Sequence, residues 1–256
     1  MTPIVLCVVD GLRPDAIPLV ETPTLDRLLA QGRAALAARS VMPSVTLPCH
    51  MSIFHSVEPG RHGIVTNTWT PQVRPVPGLF EVAHGAGRRT AAYYNWEELR
   101  DLWRPGALDT GFFWRDNRSP AGDARVAQAA AQGLRQEGLD LAFVYLGYVD
   151  EAGHRHGWLS PGYLEAVAHA DACIAQVWEA LADRGTLLVT SDHGGHERSH
   201  GTAAATDLLV PLILAGEGVS GAGPLDGSVS LLDVAPTLAA LLGLAAPEEW
   251  EGHSLV

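Results

Sequence analysis

The chain has 256 residues, 47% of them hydrophobic, and a formal net charge of −12 at pH 7. That length and apolar share support one large folded domain or two small ones. The negative charge argues against a nucleic-acid duplex or an anionic membrane surface as partner, yet it leaves room for an anionic substrate held by bound cations. Cys7, Cys49 and Cys173 are scattered and odd in number, which suits neither a disulfide framework nor a thiolate metal site. No stretch reaches the roughly 20 apolar residues of a membrane span. The N-terminal run reads as a strand rather than a leader, so the expected location is cytoplasmic.

In chain order, Ile4 to Val9 is a short apolar run of the kind found in buried parallel strands, with Asp10 directly after it. Thr22-Pro23-Thr24-Leu25 opens a helix that Gly32 is placed to end. Pro43 to Ser52 reads as a loop entering a helix, with Thr46 suited to the N-cap and Pro48 in the first turn. The segment Asn67 to Asn117 is richer in Trp, Pro and Arg, and is expected to form a lid or substrate-side segment; inside it, Thr90 to Tyr94 is a strand candidate. Asp123 to Gln136 is an Ala-rich amphipathic helix, and Leu141 to Tyr148 a further strand. Pro161 to Ala182 is the longest helical candidate, followed by strands at Thr186 to Thr190 and Leu208 to Leu214 and a helix at Leu231 to Leu242. Strands alternating with helices predict an α/β fold: a mostly parallel central sheet flanked by helices on both faces, as one domain over residues 1–256.

Three aspartates follow three of the strand candidates: Asp10, Asp150 and Asp192. Open parallel sheets bind ligands beyond the carboxyl ends of their strands, so these three converge on one crevice. Asp150 and His154 are four residues apart, which on a helix places both on one face. Asp192 and His193 are adjacent at a strand end, and His200 lies on the loop beyond. Carboxylates and imidazoles without thiolate suit zinc or manganese. A hydroxyl at a helix N-terminus, such as that of Thr46, faces free N–H groups that favour a phosphate, and metal coordination makes it a competent nucleophile. Ser44 is the rival hydroxyl.

Six stretches together resemble the alkaline phosphatase superfamily, and within it the nucleotide pyrophosphatase/phosphodiesterase branch (type I phosphodiesterases). They are VVDGLRPD at 8–15, TPTLDRL at 22–28, PSVTLPCHMSIFHSVEPGRHGIVTN at 43–67, DEAGHRHG at 150–157, SDHGGHERSHG at 191–201 and LLDVAPTLAALLGL at 231–244. They run in family order over nearly the whole chain. The resemblance implies an alkaline-phosphatase-like fold and two divalent ions, usually Zn2+, with Mn2+ the alternative. It implies Asp150, His154 and His200 as ligands of one ion, and Asp10, Thr46, Asp192 and His193 as ligands of the other. It further implies a hydrolase for phosphate esters, with phosphodiester or pyrophosphate bonds favoured, acting on a small substrate through a phospho-threonine at Thr46. A phosphomonoesterase, a phosphonate hydrolase or a non-catalytic metal- or phosphate-binding protein are the alternatives. The sulfatase pattern C/S-x-P-x-R lacks its arginine in Thr46-Leu47-Pro48-Cys49-His50. Where the branch is expected to carry a phosphate-binding Asn, three residues after the nucleophile, this chain has Cys49, so Cys49 is the substrate-binding candidate. Arg13, His156 and His196 lie in these stretches without an assigned role, and Asn67 is expected to fix a loop rather than touch substrate.

Overall fold

The computed structural model describes residues 2–182 and 184–256. In chain order the elements are β1 (Ile4–Val9), α1 (Pro23–Gln31), β2 (Arg33–Arg39), α2 (Thr46–His55), α3 (Pro59–His62), α4 (Leu79–Gly85), β3 (Thr90–Tyr94) and β4 (Thr110–Phe113). There follow α5 (Pro120–Gln136), β5 (Leu141–Leu146), α6 (Tyr148–His156), α7 (Pro161–Ala180), β6 (Thr186–Thr190), α8 (Ala205–Leu208), β7 (Leu209–Gly216), β8 (Gly223–Pro224) and α9 (Val234–Leu241). The strands form an 8-stranded sheet in the order β4-β3-β5-β1-β6-β7-β2-β8. All neighbours pair in parallel except at β7, which runs antiparallel to β6 and β2. This is the α/β architecture expected from the sequence.

β1 is central and buried along its whole length. Side chains alternate across a strand, so its two sets enter two cores. Ile4, Leu6 and Val8 pack with Leu47 and Phe54 of α2 and Leu238 of α9. Val5, Cys7 and Val9 pack with Leu28 of α1, Val126 of α5 and Ile174 of α7. Helices therefore cover both faces. In the first core Phe54 meets Phe143 edge to face, with ring centroids 5.0 Å apart, a geometry that adds about 1 kcal/mol to the burial itself.

Some elements differ from expectation. β2 has the sequence RAALAAR, whose Ala and Arg favour helix, yet it is drawn into the sheet by pairing with β7. The segment 67–117 supplies β3 and β4 to the sheet, while its first residues run beside the start of α2. The run Leu231 to Leu242 begins as one 3-10 turn, fixed by a reciprocal capping box between Ser230 and Asp233, before α9 starts. Among the described residues no helix is long and apolar enough to cross a membrane.

Candidate metal centre and nucleophile

Because β1, β5 and β6 are parallel neighbours, the residues after them emerge at one edge of the sheet. Asp10 follows β1, Asp192 follows β6, and Asp150 lies in the first turn of α6 after β5. Gly11 brings the first and third together. Its φ is +69°, and a Cβ there would stand 2.9 Å from Asp150 Cα, so the turn after β1 can touch α6 only without a side chain. The Gly11 carbonyl is held by Trp158 Nε1 at 2.9 Å and the Tyr163 hydroxyl at 2.8 Å.

Two clusters result, one of Asp150, His154 and His200 and one of Asp10, Asp192 and His193. In the first, His154 Nε2 lies 3.3 Å from Asp150 Oδ2 and His200 Nε2 lies 3.8 Å from Asp150 Oδ1. In the second, His193 Nε2 lies 3.3 Å from Asp10 Oδ1 and 3.4 Å from Asp192 Oδ2. The rings of His193 and His200 stack at 3.8 Å, so the clusters are contiguous.

The imidazoles are oriented in one way. The Nδ1 atoms donate to backbone carbonyls: His154 to Arg198 at 2.9 Å, His200 to Ser44 at 2.9 Å and His193 to Gly194 at 2.8 Å. Those bonds leave Nε2 as the free ring nitrogen and turn it toward the carboxylates, the arrangement of metal-ligating histidines.

The carboxylates complete the test of fit. Asp10 Oδ1, Asp150 Oδ1 and Asp192 Oδ2 are buried and accept no hydrogen bond. An isolated buried carboxylate is costly unless it is paired or coordinates a cation. Burial, with Asp192 and Asp150 nearby, pushes the Asp10 carboxyl well above its ordinary range, and burial raises Asp192 as well. His154 is pushed up to about 9, chiefly by its hydrogen bond with Asp150. Burial lowers His193 and His200, which keeps them neutral and able to donate a lone pair. Unpaired oxygens facing imidazole lone pairs fit divalent cations.

Thr46 stands at the second cluster. It is the first residue of α2, not the N-cap, which falls on Val45. Its hydroxyl is therefore not used in capping and lies 3.3 Å from His193 Nε2, the atom that faces Asp10 and Asp192. Ser44 is spent elsewhere: its hydroxyl donates to the Thr202 carbonyl at 3.0 Å.

Cys49, the substrate-binding candidate, requires correction. It has no exposed surface and lies in the core, its sulfur 3.3 Å from Ser40 Oγ and 3.7 Å from the Pro43 carbonyl. One helical turn from Thr46 it points beneath the site, out of reach of a substrate. Asn67 instead reaches the start of α2, where its side-chain oxygen accepts the Leu47 N–H at 2.9 Å. Arg13 is held by Asp15 and by the Gly195 carbonyl at 3.0 Å, and His196 by Asp207 at 2.7 Å, so both brace loops. His156 is exposed.

Two neighbours had no signal in the spacing. Tyr145 of β5 donates its phenol to Asp10 Oδ2. His50, fully buried, donates Nδ1 to the Thr46 carbonyl at 2.8 Å, with that atom 3.6 Å from Asp192 Oδ2.

Carboxylate–imidazole clusters at the carboxyl edge of such a sheet define a candidate site for two divalent cations. The chain belongs to the Metalloenzyme superfamily, whose sequence model matches residues 2–246. It is similar to human ectonucleotide pyrophosphatase/phosphodiesterase family member 7, with 26% identity over 216 residues, 72% of this chain and 46% of the relative. It is also similar to the 2,3-bisphosphoglycerate-independent phosphoglycerate mutase of Laribacter hongkongensis, with 42% identity over 105 residues, 38% of this chain and 20% of the relative. The chain thus spans less than half the length of these curated relatives. Murine ectonucleotide pyrophosphatase/phosphodiesterase 5, solved as an inactive variant in complex with AMP, shares the fold with a TM-score of 0.80 at 15% identity, covering 96% of each chain.

Proposed function

We propose that the protein hydrolyses phosphate esters at a two-metal site with Thr46 as nucleophile, and that phosphodiester or pyrophosphate bonds are its preferred substrates. The observation that carries this is the approach of the Thr46 hydroxyl to within 3.3 Å of His193 Nε2, where the unpaired oxygens of Asp10 and Asp192 also converge. Asp150, His154 and His200 would hold one ion, and Asp10, Thr46, Asp192 and His193 the other. Zn2+ or Mn2+ suits these donors. Such ions lower the pKa of a bound hydroxyl or water and offset charge on phosphoryl oxygens.

The Thr46 hydroxyl gives up its proton and attacks phosphorus in line, breaking the P–O bond to the leaving alcohol or phosphate, which takes up a proton. Water then cleaves the phospho-threonine ester, releasing the phosphoryl group and restoring the hydroxyl. At the start of α2 the Leu47 N–H is taken by Asn67, Cys49 donates to the Val45 carbonyl and Pro48 has no N–H, so among these residues only the Thr46 N–H is left to face a phosphoryl oxygen. Asn67 keeps its carbonyl on Leu47, which leaves its amide group available to the same oxygens. The residues from 67 onward form the substrate-side wall in this reading, and 1–256 act as one catalytic domain. The preference for diesters or pyrophosphates is supported by the similarity to the human phosphodiesterase family member.

The test is a metal-supplemented activity panel: a nitrophenyl phosphate, a bis-nitrophenyl phosphate and a thymidine nitrophenyl ester, with wild type and Thr46→Ala. Diester cleavage lost in the variant supports the reading. Monoester turnover alone moves the protein to the phosphomonoesterase alternative, and no turnover with metal bound leaves a binding protein.

A further inference from the structure

The carboxylate of Asp123 lies outside both clusters, yet it is wholly buried in the first turn of α5. Its partners are specific. Oδ1 accepts Asn95 Nδ2 at 2.7 Å and the Gly147 N–H at 3.0 Å, and Oδ2 accepts the Tyr148 N–H at 3.3 Å. Asn95 is 1% exposed and is itself fixed by donating to the Asp116 carbonyl at 3.1 Å.

Gly147 and Tyr148 are the joint between β5 and α6. Gly147 occupies the N-cap position of α6 and has no side chain to satisfy the orphan N–H groups of the first turn. Asp123 supplies that acceptor from another helix, and its charge lies at the positive end of the α6 dipole. The joint is also tightly packed: a Cβ on Gly147 would stand 2.8 Å from Asn117 Cβ and 3.0 Å from the Tyr145 ring. α6 then carries Asp150 and His154, two residues and six residues past Tyr148. Burial pushes the Asp123 carboxyl up to about 7, against the hydrogen bonds from Asn95, Tyr148 and Gly147, which favour its charged form.

We propose that Asp123 is a positioning residue for the ion held by Asp150, His154 and His200, fixing the start of α6 so that Asp150 and His154 present their ligand atoms together. It does not act on the second cluster, whose residues follow β1 and β6 rather than β5. This inference rests on the metal-centre reading above. Replacement by Asn places an amide donor against a backbone N–H donor, so one of the two α6 contacts is lost without a change of size.

The experiment is calorimetric titration of metal-stripped protein with Zn2+ alone, for wild type, His154→Ala and Asp123→Asn. Wild type is expected to show two binding steps, and His154→Ala identifies the first ion by removing one. Asp123→Asn is expected to weaken that same step about tenfold or more, as loss of a supporting partner does, and to leave the other within twofold. If wild type lacks two steps, or His154→Ala removes neither, the metal-centre reading fails. If those controls behave and Asp123→Asn leaves both steps unchanged, or weakens both equally, the positioning role is overturned. Should Asp123→Asn not fold by circular dichroism, Asn95→Leu carries the same test. It releases Asp123 on one side and is expected to weaken the first step severalfold; an unchanged first step overturns the proposal.

Discussion

Tyr145 of β5 stands opposite Val8 of β1, and its phenol reaches past the end of β1 to donate to the carboxylate of Asp10, two residues farther on. The other Asp10 oxygen accepts no hydrogen bond, so this donor sets which oxygen is free. Tyr145→Phe is expected to weaken the ion of the Asp10, Asp192 and His193 cluster about tenfold and to spare the other. It also leaves a buried carboxylate short of a donor, so the metal-free protein should lose about 1–3 kcal/mol. Metal titration and denaturant unfolding check both; equal metal affinity in the variant contradicts the role.

Thr46 and Ser44 separate by partner. The Ser44 hydroxyl is engaged with the Thr202 carbonyl, while that of Thr46 lies in the site. Thr46→Ala is expected to lower kcat on the order of a thousandfold or more, with the ion of the Asp150 cluster retained and the other, which loses one ligand, bound more weakly. Ser44→Ala should lower kcat far less. The reverse order, measured on a diester with metal content checked, would move the nucleophile to Ser44.

Metal binding should depend on pH in a stated direction. His154 is raised to about 9 by Asp150, so at pH 7 the metal-free protein carries a proton there that an ion must displace. Affinity for the ion of the Asp150 cluster is therefore expected to rise from pH 7 to about 9, by up to tenfold per unit, and then level off. Without metal the sign is opposite: the raised pKa means the His154–Asp150 pair stabilises the fold below the ordinary 6.5 and loses that effect as pH rises through about 9. Calorimetry in two buffers of different ionisation heat reads the released proton; a proton count near zero at pH 7 contradicts the assignment.

Cys49 gives a prediction of the opposite kind. Its thiol is sealed in the core and burial pushes its pKa far above the ordinary thiol value. Cys49→Ala is expected to cost about 1 kcal/mol in stability and to leave KM unchanged. A several-fold rise in KM with an intact fold would restore it as a substrate contact.

The legible parts of the sequence share a physical reason. β1, β5 and β6 are buried on both faces, so they appear as unbroken apolar runs, and the aspartates after them stand out as abrupt changes of polarity. Asp150 and His154 were readable because a helix turns local spacing into a shared face. β2 was hidden because its alanines carry little strand signal and its place depends on β7, far along the chain. Tyr145 and His50 were hidden because each sits inside an element whose pattern explains it as core, and Asp123 because an acidic residue in the first turn of a helix needs no further explanation.

The sequence by itself determined the layered α/β class, the strand-end aspartates and the histidines spaced to join them, because these depend on local polarity and short-range geometry. Only the tertiary structure decided that the Thr46 hydroxyl meets the second cluster while that of Ser44 is tied away, that Cys49 lies beneath the site, and that Tyr145 holds Asp10. Those outcomes depend on which way a side chain turns once strands and helices distant in the chain are packed together, and sequence spacing does not carry that information.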